Sequence, residues 1–301
     1  MPSLKEVRNK IVSVRNMQKI TKAMKVVSAA KLRKAQQRIV QMRPYAHKLQ
    51  ELLSHLSGSM EGSDAGRFFD NRPVKRVLVV AITSDSGLAG SFNGVILKDS
   101  VRMITKVYSE QHSTKNVDVL AVGKKSTAFF KKNNYNVIQE HTSLFKNLDY
   151  DAAEEIANFV IQLFLDKKYD AIDVVYNRFK NAVVYIPTVE RFLPIPVESH
   201  DAVAEDHKNE SKHYTADYIF EPSQEEIMGR LINQSLRVNF FRALLESNTA
   251  EHGARMTAMD KASENAEELL NQYKLAYNKA RQATITKEIL EIVGGAAALG
   301  G

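Results

Sequence analysis

The residues best suited to carry chemistry lie in one short stretch, residues 83–90, which follows an uninterrupted apolar run. Gly87 and Gly90 in this stretch resemble the glycines of a phosphate-binding turn that leads into a helix. Neither the G-x-G-x-x-G spacing of dinucleotide-binding folds nor the G-K-S/T ending of a P-loop occurs here. We therefore interpret the stretch as a tight turn that feeds a helix, and we predict no cofactor-binding residue.

Metal binding and nucleophilic catalysis have no better support. The chain contains no cysteine, which excludes a disulfide framework, thiolate metal ligands and a cysteine nucleophile. Its eight histidines lack metal-ligand spacing, and His47 and His55 lie on a predicted helix without carboxylates in a ligand pattern. We predict no metal site, and the sequence alone assigns no Ser, His and Asp set to catalysis.

A strong basic charge is confined to the first part of the chain. Residues 1–58 carry a net charge of +11, whereas residues 59–301 carry −4. A helix that is apolar on one side and basic elsewhere needs an apolar partner and faces something acidic. Apolar residues in steps of three and four predict such a helix here: Leu4, Val7, Ile11, Val14, Met17, Ile20, Met24 and Val27.

Both ends of the chain predict very long helices. The first runs from residue 4 to about residue 56, after a capping box of Ser3 and Glu6, with a kink at Pro44. The second begins at a capping box of Ser223 and Glu226 and runs to about residue 299. Its apolar seam also repeats in steps of three and four: Met256, Met259, Ser263, Ala266, Leu270, Tyr273, Tyr277, Ala280 and Thr284.

The middle of the chain alternates strands and helices. Continuous β-branched runs predict strands that are buried on both faces, and their alternation with helices predicts a parallel, Rossmann-like sheet. Residues 183–197 are extended, and their prolines restrict them to an edge. The predicted strands are residues 77–82, 117–122, 136–140 and 171–179, and the predicted helices are residues 93–109, 124–133 and 151–167.

We therefore predict an α/β protein with a long antiparallel coiled coil of its N- and C-terminal helices and a central Rossmann-like α/β domain. Neither long helix could bury its apolar stripe alone, so the two should pack on each other. The second helix is longer, so its end, residues 285–299, should be unpaired and should need an apolar socket. The predicted domains are residues 1–58, 59–74 (linker), 75–197, 198–221 (polar loop) and 222–301.

Several stretches of the chain resemble the γ subunit of the F-type ATP synthase. Near the N terminus the resemblance lies in residues 14–24, VRNMQKITKAM. Near the C terminus it lies in ARQA at 280–283, ITKE at 285–288, Glu291 and GAAA at 295–298. The central turn, with Thr83, Ser84, Asp85, Gly87, Leu88 and Gly90, also matches, but Ser86 and Ala89 depart from the family pattern.

This resemblance implies a non-catalytic rotor shaft. The coiled coil would turn inside a ring of three α and three β subunits, and the α/β domain would stand on the membrane c ring beside subunit ε. Proton flow through the c ring would then drive ATP synthesis in the β subunits. The chain would lie at the cytoplasmic face of the bacterial inner membrane as a peripheral protein, held by its partners, with no cofactor, no metal and no nucleic acid.

The same resemblance implies two sets of contact residues. The contacts with the β subunit would come from both long helices: Met24, Lys25, Arg255, Arg281, Gln282, Thr286 and Glu291. The contacts with the c ring would come from Tyr218 and Glu221, just before the second long helix.

Two other functions fit parts of the pattern. A basic helix could bind nucleic acid, but residues 4–43 contain no aromatic side chain to accompany their Asn, Gln and Arg. A Rossmann-like layer could belong to a nucleotide-dependent enzyme, which micromolar binding of ATP or NAD by the isolated chain would support. We rank both below the rotor shaft.

Overall fold

The computed structural model describes residues 4–56, 64–70, 72–196 and 224–299. The chain forms two compact units, one of Met1–Lys31 with Arg255–Gly301 and one of Leu32–Ala254. The domain boundaries expected from the sequence follow the ends of elements instead, and they stay a prediction. The predicted polar loop at residues 198–221 lies outside the described residues, as do Ser3 and Ser223 of the two predicted capping boxes.

The long terminal helices span the ranges expected from the sequence, and Pro44 lies inside the first of them. The helix predicted at residues 93–109 is confirmed at Phe92–Arg102, but its second part differs: a wider π-type turn follows at Met103–Val107, and a short separate helix begins at Ser109. The elements are α1 Leu4–Leu56, β1 Val77–Ile82, α2 Phe92–Arg102, α3 Ser109–Ser113, β2 Val117–Val122, α4 Lys124–Lys132, β3 Asn136–His141, α5 Tyr150–Leu165, β4 Ala171–Phe179, β5 Tyr185–Leu193 and α6 Gln224–Leu299.

The five strands form one sheet in the order β3-β2-β1-β4-β5. The first four strands are parallel, as predicted, and β5 runs antiparallel beside β4. Every residue of β1 and β2 is buried, which is why both strands read as continuous apolar runs. The strand β5 lies at the edge, where Pro187 costs no hydrogen bond to a further strand.

The unit of residues 32–254 has an apolar core on each face of this sheet. Alternate side chains of β1 point to opposite faces: Leu78, Val80 and Ile82 to one, and Val77, Val79 and Ala81 to the other. The first face is covered by α5 and by the part of α6 within this unit, which contributes Met228, Ile232, Leu236, Phe240, Ala243, Leu244 and Leu245. The second face is covered mainly by α2 and α4, through residues such as Ile96 and Phe130.

Charged pairs also hold α6 against the α/β layers of this unit. Arg237 pairs with Glu154 of α5 at 2.6 Å, and Arg242 pairs with Glu190 of β5 at 2.9 Å. The buried Tyr176 hydroxyl donates to the same Glu190 at 2.8 Å, and burial raises the pKa of that hydroxyl well above its usual value. These directional contacts orient this part of α6 over a core whose apolar packing is not directional.

Candidate functional site: the antiparallel helix pair

The terminal helices pair within the unit of residues 1–31 and 255–301. Thr21 and Ser263 hydroxyls lie 2.7 Å apart, and the Lys25 ammonium lies 2.5 Å from the Asp260 carboxylate. Gln18 donates to Glu267 at 3.4 Å, and the Lys10 ammonium lies 5.9 Å from the Tyr273 ring centroid. Residue numbers rise along α1 as they fall along α6, so the pair is antiparallel, as predicted.

The seam of α1 differs in its second half from the expected apolar stripe. Leu4, Val7, Ile11 and Val14 are buried or half-buried, as predicted, but Met17, Ile20 and Val27 are 58%, 59% and 55% exposed. The structure buries Thr21 and Ser28 instead. A seam between two helices alternates steps of three and four, whereas the predicted stripe took two successive steps of three after Val14 and so left the interface.

The seam of α6 follows the prediction as far as Ala280. Met259, Ser263, Ala266 and Leu270 are buried, and Tyr273, Tyr277 and Ala280 are half-buried. The last residue of the predicted seam, Thr284, is exposed and donates to the Ala280 carbonyl of its own helix. The register of the pair brings Leu4 level with Ala280, so α6 continues beyond the first described residue of α1.

The last part of α6 is exposed as far as its side chains are described, in agreement with the expected unpaired end. Every residue of 281–295 is exposed, including large apolar side chains: Ile285, Ile289, Leu290, Ile292 and Val293. The sequence-predicted contact residues Arg281, Gln282, Thr286 and Glu291 all lie on this segment. Thr286 donates to the Gln282 carbonyl at 2.9 Å, and Lys287 pairs with Glu291 at 3.6 Å, so Thr286 and Glu291 make contacts within their own helix.

The other predicted contact residues lie on the paired part of the two helices, away from the exposed end of α6. Met24 is half-buried, Arg255 is 8% exposed, and Lys25 and Asp260 keep 42% and 44% of their side chains exposed within their ion pair. At 1.5 Å per residue, Arg255 and Arg281 lie about 40 Å apart along α6. The structure therefore separates the predicted β-contact residues into two groups. Tyr218 and Glu221 lie outside the described residues.

Prediction from the sequence missed an exposed surface on α1, because it assigned the apolar side chains of that surface to the seam. Met17, Ile20, Val26 and Val27 are exposed apolar side chains on α1. They accompany exposed cations on the same helix: Lys5, Arg8, Lys10, Arg15, Lys19, Lys22 and Lys31. Strict alternation of steps from Val14 onwards would have separated this surface from the seam. The outer face of α1 is therefore both apolar and basic, which suits an amphipathic, acidic partner surface.

The turn after β1 is closed by its own side chains. One Asp85 carboxylate oxygen accepts from the backbone N–H of Lys124 at 3.1 Å and of Ser143 at 3.0 Å. Ser126 N–H donates to the Thr83 hydroxyl at 2.8 Å, and Lys125 N–H donates to the Ser84 carbonyl at 3.3 Å. A bound phosphate at the N terminus of α4 would need these same donors. The turn is therefore a tight structural turn, as predicted, in which the Asp85 carboxylate occupies the N–H donors that a phosphate would need.

The His141 side chain, at the same end of the sheet, carries no positive charge at neutral pH. Burial lowers the pKa of His141, at the end of β3, although the nearby Glu155 carboxylate opposes this shift. Within the described ranges, no group of three or more His, Asp and Glu side chains could hold a metal ion. No helix among the described residues has a stretch both long and apolar enough to cross a membrane.

Replacing Asp85 with alanine is expected to lower the free energy of unfolding by about 1–2 kcal/mol, because two backbone donors lose their charged acceptor. Urea denaturation of the full chain measures this. Asp99→Ala is the matched control, since its surface pair with Arg102 contributes at most a few tenths of a kcal/mol. Equal losses in the two variants would contradict the role of Asp85 as a cap.

Comparisons with known proteins agree on one family. A family model described as ATP synthase matches residues 3–299. A protein of Cytophaga hutchinsonii named ATP synthase gamma chain is 50% identical over 301 residues, covering 99% of each chain. The protein of the same name from Flavobacterium psychrophilum is 49% identical over 302 residues, covering 100% of each chain.

Solved structures show the same fold. A chain of the Euglena gracilis mitochondrial ATP synthase, from a structure of OSCP, F1 and c-ring, matches with a TM-score of 0.68 and 22% identity, covering 98% of this chain and 94% of that chain. A chain of the Tetrahymena thermophila mitochondrial ATP synthase, from a structure of its central stalk and c-ring, matches with a TM-score of 0.58 and 24% identity, covering 81% of this chain and 99% of that chain.

Proposed function

Because this chain belongs to the ATP synthase gamma chain family, we propose that it turns as the central rotor shaft of an F1Fo ATP synthase. In this role it couples proton flow through the membrane c ring to the conformational cycle of the catalytic β subunits, and it is itself non-catalytic. A single asymmetric helix pair inside a threefold ring touches each β subunit differently. Such differential contact is what a partner needs in order to shift a conformational equilibrium.

The exposed end of α6 is the observation that carries this proposal. Residues 281–295 of α6 expose several large apolar side chains, and this segment of the helix packs on nothing else in the described part of the chain. An apolar surface of this kind marks a binding surface for another protein. A ring of three α and three β subunits would supply an apolar sleeve in which the end of α6 turns.

The contacts with the β subunit belong to the two groups of residues on the helix pair. Met24, Lys25 and Arg255 form the group near the polar part of the pair, where exposed cations of α1 face the acidic β surface. Arg281, Gln282, Thr286 and Glu291 form the group on the exposed end. Solvent-exposed charge pairs contribute only about 0–1 kcal/mol each. A shaft held by such pairs can therefore release one β subunit and turn to the next.

The remaining partners bind away from this helix pair. Tyr218 and Glu221 contact polar loops of the c ring, and subunit ε lies beside the α/β domain. The chain is then held at the cytoplasmic face of the bacterial inner membrane through its partners. The similar chains from a structure of OSCP, F1 and c-ring and from a structure of a central stalk and c-ring support this arrangement.

Replacing Arg281 with alanine is expected to lower coupled ATP synthesis about threefold, because one exposed charged contact with a β subunit is lost. The melting temperature of the chain should not change, since Arg281 is exposed. Proton-driven ATP synthesis in membrane vesicles with the variant complex measures the effect. Lys279→Ala, an exposed cation two residues earlier, is the control and should leave synthesis unchanged; equal rates in both variants would refute the Arg281 contact.

Two experiments test the rotor function itself. A tagged chain expressed in its own cells should co-purify with α, β, ε and c subunits. In that complex, a photoreactive maleimide on a single cysteine at Ile289 should lock the shaft to its housing on illumination and stop ATP synthesis. The unilluminated sample is the control. Full-rate synthesis by a locked complex, or purification of the chain without these subunits, would overturn the function.

A further inference from the structure

The interface of the helix pair changes character along its length. Near the N terminus of α1 it is apolar, with Leu4, Val7, Ile11 and Val14 at the seam positions. The next seam positions hold Gln18, Thr21, Lys25 and Ser28. Apolar contact is non-directional, so the first half favours association of the two helices without strongly selecting one register. The polar half is where a register can be specified.

We propose that the Thr21–Ser263 hydroxyl pair, together with the Lys25–Asp260 ion pair, sets the register of the two terminal helices. By doing so it positions the exposed segment of α6, residues 281–295, along the axis of the helix pair. Polar groups at seam positions of coiled coils fix register in this way, at a cost in stability. These four residues are positioning residues that act through the exposed segment.

The geometry of the hydroxyl pair meets this requirement. Thr21 and Ser263 are only 8% and 5% exposed, and their oxygens lie 2.7 Å apart. The Thr21 oxygen also lies 3.1 Å from the Gln18 carbonyl, and the Ser263 oxygen lies 2.7 Å from the Met259 carbonyl. Two hydroxyl protons serve these three contacts, so one hydroxyl donates to the other while the second donates to its own helix. The contact between helices exists only in this register.

Shifting α6 by one heptad along α1 shows which alternative registers the Thr21–Ser263 hydroxyl pair disfavours. If α6 moved so that Thr21 faced Met256, Ser263 would face Val14, and both hydroxyls would meet apolar side chains. In the opposite slip Thr21 would face Leu270, but Ser263 would meet Ser28 and Lys25 would meet Glu267. The hydroxyl pair therefore discriminates most strongly against the first slip. That slip would displace the exposed segment by about 10 Å relative to α1.

The proposal is tested by crosslinking in the full, cysteine-free chain. Cysteines at Lys10 and Tyr273, which are in contact, report the observed register, and cysteines at Lys10 and Ala266 report the first slip. A thiol crosslinker shorter than the slip distance joins each pair. In the Thr21→Val/Ser263→Val background we expect the ratio of slipped to native crosslinks to rise about tenfold. A change of this size corresponds to the free energy of the one buried hydrogen bond that the native register loses. The melting temperature should stay equal or rise.

A packing control separates register from general stability. Val7→Ala weakens the apolar half of the seam about equally in both registers, because the buried Val7 is level with Tyr277 in the observed register and with Leu270 after the first slip. It should therefore lower the melting temperature and leave the crosslink ratio unchanged. The charge pair has its own control, in which Lys25→Asp raises the ratio and the double change Lys25→Asp/Asp260→Lys restores it. An unchanged ratio in the Thr21→Val/Ser263→Val chain, or an equal rise in Val7→Ala, would overturn the proposal. These readouts concern the chain alone, so they stand or fall independently of the rotor function.

Discussion

A chain that ends at Ala280 is expected to fold as well as the full chain and yet to support little ATP synthesis. All of residues 281–295 are exposed, so their removal takes no buried side chain out of the described structure. The melting temperature should therefore change little. The assembled complex, however, would lose the proposed β-contact residues Arg281, Gln282, Thr286 and Glu291 together with the apolar end of the helix. We expect proton-driven ATP synthesis to fall at least about tenfold, the size of effect typical of losing a central binding surface.

The matched control is a shorter truncation that ends at Val293. It removes the smooth Gly- and Ala-rich end but keeps Arg281, Gln282, Thr286 and Glu291. Because contact with a sleeve is diffuse, this chain should keep most of its activity. Greater loss in the shorter truncation than in the longer one would contradict this ranking, and a lowered melting temperature in either chain would show that the segment packs on the rest of the protein.

Replacing Gly123 with alanine is expected to prevent the α/β unit from folding stably. Gly123 lies between β2 and α4 with a φ of +96°, a conformation that L side chains rarely adopt. A Cβ atom there would lie 2.2 Å from the Thr83 carbonyl oxygen and 2.8 Å from its carbon. Both atoms belong to the backbone that follows β1, so the clash can be relieved only by separating two paired strands. We expect a loss of more than about 4 kcal/mol.

Urea denaturation of the full chain measures this loss, and the soluble yield gives a second readout. The matched control is Gly94→Ala in α2, where a Cβ would have no atom within 4 Å. Because alanine favours a helix, that variant should gain up to about 1 kcal/mol. A Gly123→Ala chain that unfolds at the same urea concentration as the natural chain would refute the steric argument.

Repeating patterns of apolar residues were enough to predict most of the individual helices and strands from the sequence. The strands β1 and β2 are continuous apolar runs because both faces of a parallel sheet are covered, and the sequence places their ends correctly. The long helices are equally legible, since a period of three and four residues persists across them. The π-type turn at Met103–Val107 has no such pattern, and it divided a helix that the sequence had joined.

Contacts between residues far apart in the chain could not be predicted from the sequence in the same way. Lys25 is predicted from the family motif as a contact with a partner, yet its ammonium pairs with Asp260, 235 residues later. Likewise, Asp85 looks like part of a loop, and only the fold brings the N–H groups of Lys124 and Ser143 to its carboxylate. A charged side chain in a sequence carries no mark of which opposite charge the fold will bring beside it.

The amino-acid sequence by itself determined the class of this protein: two long helices, a buried parallel sheet and the motifs that identify its family. Local periodicity and residue type are enough for these, because they depend on which side chains can be buried together on one face. Tertiary structure alone decided which face of α1 forms the interface and which remains free. Met17 and Thr21 both lie on a helix with several candidate stripes, and only packing against α6 selects the buried one.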